Sequence, residues 1–287
     1  MRVIWHANID TFLQESLAYL EQDEALNNLM LGISLRIQKE PNYYPQVEKV
    51  TVHKNGELVL AALMTVPEKL IIYGAGDVNG EALETLADSI LERKLNLPGV
   101  IGPKEWAQKF ADIWSSRTNC PVRLEINLRV YKLCKVNPDV IGAGRLRSAG
   151  SDDVELLARW IAEFQKDTAL EPNPDLEKCR LLAERFTSGE PRVFFWEHNG
   201  KPVSVAAKSR STRNGATVNL VYTPRELRGR GYASSCVASL SQMLLDSGYQ
   251  FCSLFADLDY PTSNKIYQSI GYRPVGDFGQ YRFETRS

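Results

Sequence analysis

Apolar residues near the start of the chain recur at three- and four-residue intervals. Ile9, Phe12, Leu13, Leu17 and Leu20 share one face and predict a helix. A second helix is expected over 24–38. Strands are expected over 47–54, 58–65 and 69–73, and Asn55-Gly56 between the first two is a hairpin signal. The period then returns to 3.6. Ala82, Leu86, Ile90 and Leu91 give a helix over 79–94, followed by a short strand over 99–101, a helix over 103–116 and an alternating strand over 123–133.

Between Cys134 and Ser151 the pattern breaks at Pro138, Gly142, Gly144 and Gly150, which sets the boundary between domains at 1–137 and 138–287. The second half opens on a short strand at Arg145 to Arg147. Asp152 and Glu155 read as a capping pair for a helix that buries Val154, Leu157, Ala158, Ile161 and Phe164. A helix with Cys179, Leu182, Ala183 and Phe186 inward comes next. Strands at 193–197 and 203–209 flank another Asn-Gly turn, Asn199-Gly200, and 216–223 is a further strand. Helix 232–246, strand 251–255, helix 262–270 and a strand near 280–283 complete the chain. Both halves therefore carry helix, helix, three strands, helix, strand, helix, strand. This is a repeat of element order and not of residue identity. It implies a mixed α/β fold of the α+β class, with two domains whose mostly antiparallel sheets are flanked by helices.

A length of 287 residues suits two such domains, and 44% apolar with 24% charged residues excludes a disordered chain. With 34 Lys and Arg against 35 Asp and Glu, the net charge is -1. No whole-protein basic field exists for nucleic acid. No apolar run suits a bilayer and the first residues lack the pattern of a signal peptide, so a cytoplasmic protein without a membrane partner is expected. Five cysteines are spread singly and only three histidines occur, so neither a metal site nor a disulfide framework is expected.

One segment departs from this neutral background. A β-rich run ends at Thr223-Pro224, and Arg225, Arg228 and Arg230 crowd the turn before Gly231-Tyr232-Ala233. Ala233, Val237, Leu240 and Leu244 then form the inner face of a helix. The first N–H groups of a helix lack internal partners and carry its positive dipole end, so such a turn suits a phosphate. Gly231 lets main chain approach it closely. The turn lacks both the nucleoside triphosphate loop and the G-x-G-x-x-G dinucleotide spacing.

Here the chain resembles the GNAT (GCN5-related N-acetyltransferase) superfamily. Arg228, Gly231 and Ala233 fill the fixed positions of its R/Q-x-x-G-x-G/A motif, and Val221-Tyr222-Thr223-Pro224 resembles the run leading into it. A second likeness runs from Pro261 to Tyr272. Tyr267, Gly271 and Tyr272 match the late helix of the family. Ser263 replaces its usual alanine, and Tyr260 stands where an asparagine is usual, with Asn264 nearby. The resemblance spans about 145–283. It implies acetyl-coenzyme A as cosubstrate, held by Val221, Tyr222, Thr223, Arg228, Gly229, Arg230, Gly231, Tyr232, Ala233, Ser234, Asn264 and Tyr267. Val221 and Thr223 would supply the main-chain contacts of a strand that bulges away from its neighbour. Tyr267 would be the general acid toward the thiolate.

The implied reaction is direct attack of an acceptor amine, on a small molecule or a peptide, on the thioester. Asp257 is the first candidate for deprotonating that amine. Asp259, Glu163, Glu171 and an exposed His198 stay open beside it, as does a water chain. Trp160, Phe164, Trp196 and Tyr260 could line an acceptor pocket or belong to the core. No role falls to the cysteines, and Cys236 and Cys252 are expected to pack. A non-catalytic acyl-coenzyme A-binding module is the alternative, and a nucleic-acid binder using Arg225 to Arg230 is a third, weaker one. The first half carries Tyr73-Gly74-Ala75-Gly76-Asp77 where the second has its turn. With no arginine and an acidic Asp77, it reads as a degenerate tandem copy. The chain is expected to be a monomer or a homodimer.

Overall fold

A computed structural model describes residues 1–168 and 170–284. The first half runs β1 (Arg2–Trp5), α1 (Ile9–Glu21), α2 (Asn28–Lys39), β2 (Val47–Lys54), β3 (Glu57–Thr65), β4 (Leu70–Tyr73), α3 (Gly80–Glu92), β5 (Gly99–Pro103), α4 (Lys104–Thr118) and β6 (Val122–Leu133). The second runs β7 (Arg145–Ser148), α5 (Val154–Asp167), α6 (Leu176–Thr187), β8 (Val193–His198), β9 (Lys201–Ser211), β10 (Gly215–Tyr222), α7 (Tyr232–Asp246), β11 (Phe251–Asp257), α8 (Pro261–Ile270) and β12 (Arg273–Phe283). The two orders are identical. The opening strand β1, absent from the sequence reading, completes the match.

Two compact units form, and neither is contiguous along the chain. The first takes Met1–Tyr131, Phe255–Pro261 and the residues from Pro274; the second takes Lys132–Leu254 and Thr262–Arg273. The sheet order in the first is β1-β2-β3-β4-β5-β12-β6, with β4 and β5 parallel. In the second it is β11-β10-β9-β8-β7, with β10 and β11 parallel. The pairings β1–β2, β2–β3, β3–β4, β5–β12, β7–β8, β8–β9 and β9–β10 are antiparallel, as in a mixed sheet built largely of hairpins. Both Asn-Gly turns adopt the conformation a tight hairpin requires, with Asn55 at φ 54° and Asn199 at φ 51°.

Each unit packs helices on its sheet through alternate strand residues. In the first, α3 and α4 bury Leu83, Leu86, Phe110 and Trp114 against Val50, Leu60, Met64 and Ile72; Phe12, Leu20 and Met30 of α1 and α2 meet Ala61, Leu63 and Ile71. In the second, Leu157, Trp160 and Ile161 of α5 and Cys179 and Ala183 of α6 pack on Val193, Phe195, Val205, Leu220 and Tyr222. Ser204, next to Val205, faces instead toward Cys236 of α7.

The capping pair expected at Asp152 and Glu155 lies two residues earlier, at Gly150 and Asp153. A 3₁₀ turn over Ser151–Asp153 precedes α5, and Asp153 accepts the Gly150 N–H (2.8 Å) and pairs with Arg147. Glu155 pairs with Arg180 across to α6. The final strand also differs from expectation. It is longer than 280–283, and it pairs with β5 of the first unit, Gln280 opposite Ile101 and Tyr281 opposite Val100. Tyr281 and Phe283 enter the core around α3 and α4, where Phe283 stacks on Trp114, and Phe278 enters the core under α1 and α2.

A chain ending at Tyr272 would therefore be destabilised in its first unit. It loses three aromatics that are 2%, 7% and 5% exposed, each worth about 1.5–3 kcal/mol on burial. Hydrogen exchange should accelerate in β5, and unchanged protection there would contradict this membership.

Candidate functional site

The site grows from an interruption in β10. This strand pairs with β11 through Gly215–Thr217 opposite Phe251–Ser253. Against β9 its register steps from Asn219↔Ala207 to Tyr222↔Val205. Three residues advance on β10 while two pass on β9, so one residue is extra, which defines a bulge. Leu220 sits in it at φ 49°, a left-handed value uncommon for a residue with a side chain.

Beyond the bulge the strand turns sharply. Thr223-Pro224 leads into a 3₁₀ turn over Arg225–Leu227, and then Gly229 (φ 76°) and Gly231 (φ 78°) carry the chain into α7. A Cβ at Gly231 would meet no atom within 4 Å, so the glycine is needed for its dihedral and leaves open space beside it. At the start of α7 the Ser235 N–H donates to Gly231 O (3.0 Å). The N–H groups of Tyr232, Ala233 and Ser234 lie ahead of that bond, and no side chain caps them among the described residues. Ser235 Oγ accepts the Gly142 N–H (2.9 Å), which ties the segment before β7 to this helix start. An uncapped helix start behind an open glycine turn is an anion cradle.

The three arginines divide their work. Arg225 Nη2 donates to Asp167 Oδ1 (2.5 Å), and Arg228 Nη2 donates to Asp167 Oδ2. Arg228 also donates through Nε to Thr223 O (2.9 Å). Arg230 Nη2 reaches only Glu226 O, at 3.4 Å, from an exposed position. Two guanidinium groups expected to face an anion are thus engaged by a carboxylate at the end of α5. Burial works to raise the Asp167 carboxyl, and the hydrogen bonds from both arginines outweigh it, so it ionises below its ordinary range.

Of the two expected main-chain positions, Thr223 O is occupied by Arg228, and Val221 lies within the bulge, between the paired Asn219 and Tyr222. Tyr222 O and the Thr223 hydroxyl both meet Ser204 Oγ, at 3.1 and 2.9 Å. The Tyr222 side chain leaves on the α5 side, packs on Trp160 and donates to Glu163 Oε2 at 2.5 Å. Burial and the adjacent carboxylate push its phenol well above the ordinary tyrosine range, so it remains a proton donor.

On α8 the buried face is Asn264, Tyr267 and Ile270, while Ser263 is only half-buried. Tyr267 is 8% exposed and lies edge-on to Tyr272, whose hydroxyl meets Ser241 Oγ (2.8 Å). Gly271 ends the helix at φ 114°, with Lys135 O where a Cβ would stand.

The candidates for a base are dispersed. Asp257 belongs to the first unit, and its Oδ1 accepts the Asp259 N–H (2.9 Å) in the turn after β11. Glu171 accepts from Asn173 N. His198 is half-buried rather than exposed, held by Ala143 O (2.9 Å) and the Tyr232 ring. Trp160 and Trp196 are core residues, whereas Tyr260 is exposed. Cys236 and Cys252 are buried, and burial pushes both thiols up to about 12. Two features were not read from the sequence: Asp167 as partner of the arginines, and the Tyr222–Glu163 pair. Their only sequence signal is a pair of carboxylates four residues apart, on one face of α5.

The corresponding region of the first half is filled. β3 and β4 pair without a register step, so no bulge forms. A Cβ on Gly102 of β5 would lie 2.6 Å from Ile72 O, which shows how closely the two strands approach. Tyr19 Oη accepts the Ala75 N–H (2.6 Å), the Trp106 ring covers Gly74, and Trp106 Nε1 donates to Gly76 O (3.3 Å). One feature does repeat: Tyr73, at the end of β4, donates to Asp23 Oδ2 (2.7 Å) as Tyr222 does to Glu163.

Comparison with known proteins agrees with this geometry. Residues 163–282 match the family model described as "Acetyltransferase (GNAT) domain". The fold is similar to a tandem GNAT protein from the clavulanic acid biosynthesis pathway, at 14% identity and TM-score 0.62 over 100% of each chain. It is also similar to a GCN5-related N-acetyltransferase from Sphaerobacter thermophilus (16% identity, TM-score 0.59, 98% of this chain and 95% of that one). An acetyltransferase of the GNAT family from Colwellia psychrerythraea matches at 13% identity and TM-score 0.56, over 99% of this chain and 100% of that one. At these identities the likeness is one of fold. No curated protein matches the sequence. Among the described residues no helix is long and apolar enough to cross a membrane.

Asp167 lowers the positive charge of the turn without lying in the cradle of amides. Asp167→Asn should therefore tighten binding of inorganic pyrophosphate several-fold at low ionic strength, about 1 kcal/mol, with the gain shrinking as salt rises. Titration calorimetry at two salt concentrations checks this. Weaker binding would mean that Asp167 serves to hold the arginines in place.

Proposed function

We propose that this chain, which belongs to the GNAT family through its second half, is an acetyl-coenzyme A-dependent N-acetyltransferase working from residues 138–287. The observation that carries the reading is the bulge at Leu220 followed directly by the open glycine turn and uncapped start of α7. The residues present fit coenzyme A. Tyr232, Ala233 and Ser234 offer three main-chain donors, and Gly229 and Gly231 leave room for a pyrophosphate. Arg230 is the arginine of the turn not taken by Asp167. Acetyl-coenzyme A supplies the activated thioester.

The chain's own part is binding, orientation and proton handling. Main chain within the bulge, at Val221, is the proposed donor toward a developing oxyanion. Asn264 and Tyr267 share the buried face of α8, and Tyr267 is the proposed holder of the proton that a departing thiolate takes. Holding both reactants on a fixed strand and helix start supplies orientation, which needs no covalent intermediate. The buried Cys236 and Cys252, whose thiols burial pushes up to about 12, agree with that reading. The acceptor is proposed to be an amine. Residues 1–137 are proposed as a degenerate copy that binds no donor, because Tyr19 and Trp106 occupy its turn.

Two measurements test the reading. Calorimetry should find one acetyl-coenzyme A per chain, and Gly231→Val should weaken it by about tenfold to a hundredfold, since a β-branched residue at φ 78° is strained by about 1–3 kcal/mol. No binding to the intact protein would overturn the function. Tyr267→Phe should lower kcat by about 100-fold while leaving acetyl-coenzyme A affinity nearly intact. Unchanged turnover would remove Tyr267 from the acid role and leave the donor site standing.

A further inference from the structure

We propose that Glu163 is the anchor for a cationic acceptor amine; this rests on the acyltransferase reading and names the substrate class of the same site. Four observations carry it. Glu163 sits in the last turns of α5, exposed, while its partner Tyr222 is 5% exposed. The Tyr222 hydroxyl fixes one carboxylate oxygen at 2.5 Å and, with its phenol held protonated, can only donate to it. The second oxygen has no hydrogen-bond partner among the described residues. Tyr222 follows directly on Val221, so the fixed carboxylate stands beside the strand segment where the bulge has broken the pairing.

The charge balance around it is decisive. Arg225 and Arg228 both close on Asp167, one helical turn further along the same face of α5, and neither forms an ion pair with Glu163. No ion pair neutralises Glu163 among the described residues. The two carboxylates of α5 therefore differ in role. Asp167 is saturated by two guanidinium groups on the side of the anion turn. Glu163 lies one turn earlier on that face, bonded to Tyr222 beside the core that Trp160, Phe195 and Tyr222 form under α5. A carboxylate held by a buried donor, with one oxygen facing solvent, recognises an ammonium group and gives a neutral hydroxyl much less. Tyr222 acts through Glu163 and is a positioning residue.

The first half provides an internal control. Asp23 and Tyr73 form the same pair where the turn is plugged and the strand carries no bulge. If the Tyr–carboxylate pair only braces the fold, Asp23→Asn and Glu163→Gln should behave alike. The test uses the full chain and follows coenzyme A release with spermidine, tyramine and a lysine-terminated peptide, each against a hydroxyl analogue. Glu163→Gln should raise KM for the amine about tenfold or more, with kcat and acetyl-coenzyme A affinity nearly unchanged, and Asp23→Asn should change neither. Tyr222→Phe should give a smaller rise in KM. Equal KM for wild type and Glu163→Gln would overturn the proposal, as would use of hydroxyl acceptors alone. If acetyl-coenzyme A binds and no cationic amine is acetylated, Glu163 fails as anchor while the donor site stands; if the donor does not bind, the acyltransferase reading itself has failed.

Discussion

One extra residue in β10 governs the second unit's site. A strand paired on both sides has no main-chain groups to offer a ligand, because its ladder satisfies them. The bulge at Leu220 ends that condition. It costs a left-handed φ at a leucine and the loss of regular register with β9. The pairing with β11 has already ended at Thr217, Tyr222 pairs again with Val205 of β9, and the chain then feeds a turn whose glycines start α7 without a cap. The oriented amides of that helix start lie a few residues behind this irregularity, and they require no unusual side chain.

The first half makes the same point by contrast. Its elements run in the same order, and even its strand-end tyrosine finds a carboxylate in the same way. Yet β4 has four residues where β10 has eight, and it pairs with β3 without a step. The space over the turn is taken by Trp106 and the Tyr19 hydroxyl. The acidic Asp77, the sequence feature that first set this half apart, is a minor part of that difference. Replacing it would leave an aromatic ring against Gly74 and a bonded Ala75 amide.

How much of this was legible follows from how far apart the interacting residues are. Hairpins at Asn55-Gly56 and Asn199-Gly200 are local, as is the amphipathic period of α1, α3 and α7, and all were readable. The short strand β1 was not, since four residues give no measurable alternation. The capping pair before α5 lies two positions ahead of the one expected because a 3₁₀ turn precedes the helix. The partner of β12 was beyond reach for a different reason. An alternating segment shows that it is a strand, and nothing in it names β5 as its neighbour. At the site, Gly231 and Ala233 were visible as a pattern. The engagement of Arg225 and Arg228 joins residues about sixty positions apart and leaves no local mark.

That engagement changes what the basic cluster means. Three arginines in six residues suggest a strongly positive turn, but two of them surround one carboxylate that burial alone would have protonated more readily. The turn therefore attracts anions mainly through oriented amides, whose effect is short-ranged and directional, and less through free charge, which would attract any polyanion at a distance. A chain with a net charge of -1 can hold such a cradle without becoming a general nucleic-acid binder. Asp167 achieves this from α5, and Glu163, one turn earlier on the same helix, takes part in no ion pair among the described residues. The fixed spacing of a helix thus separates a quenched positive region from an open negative one along a single face.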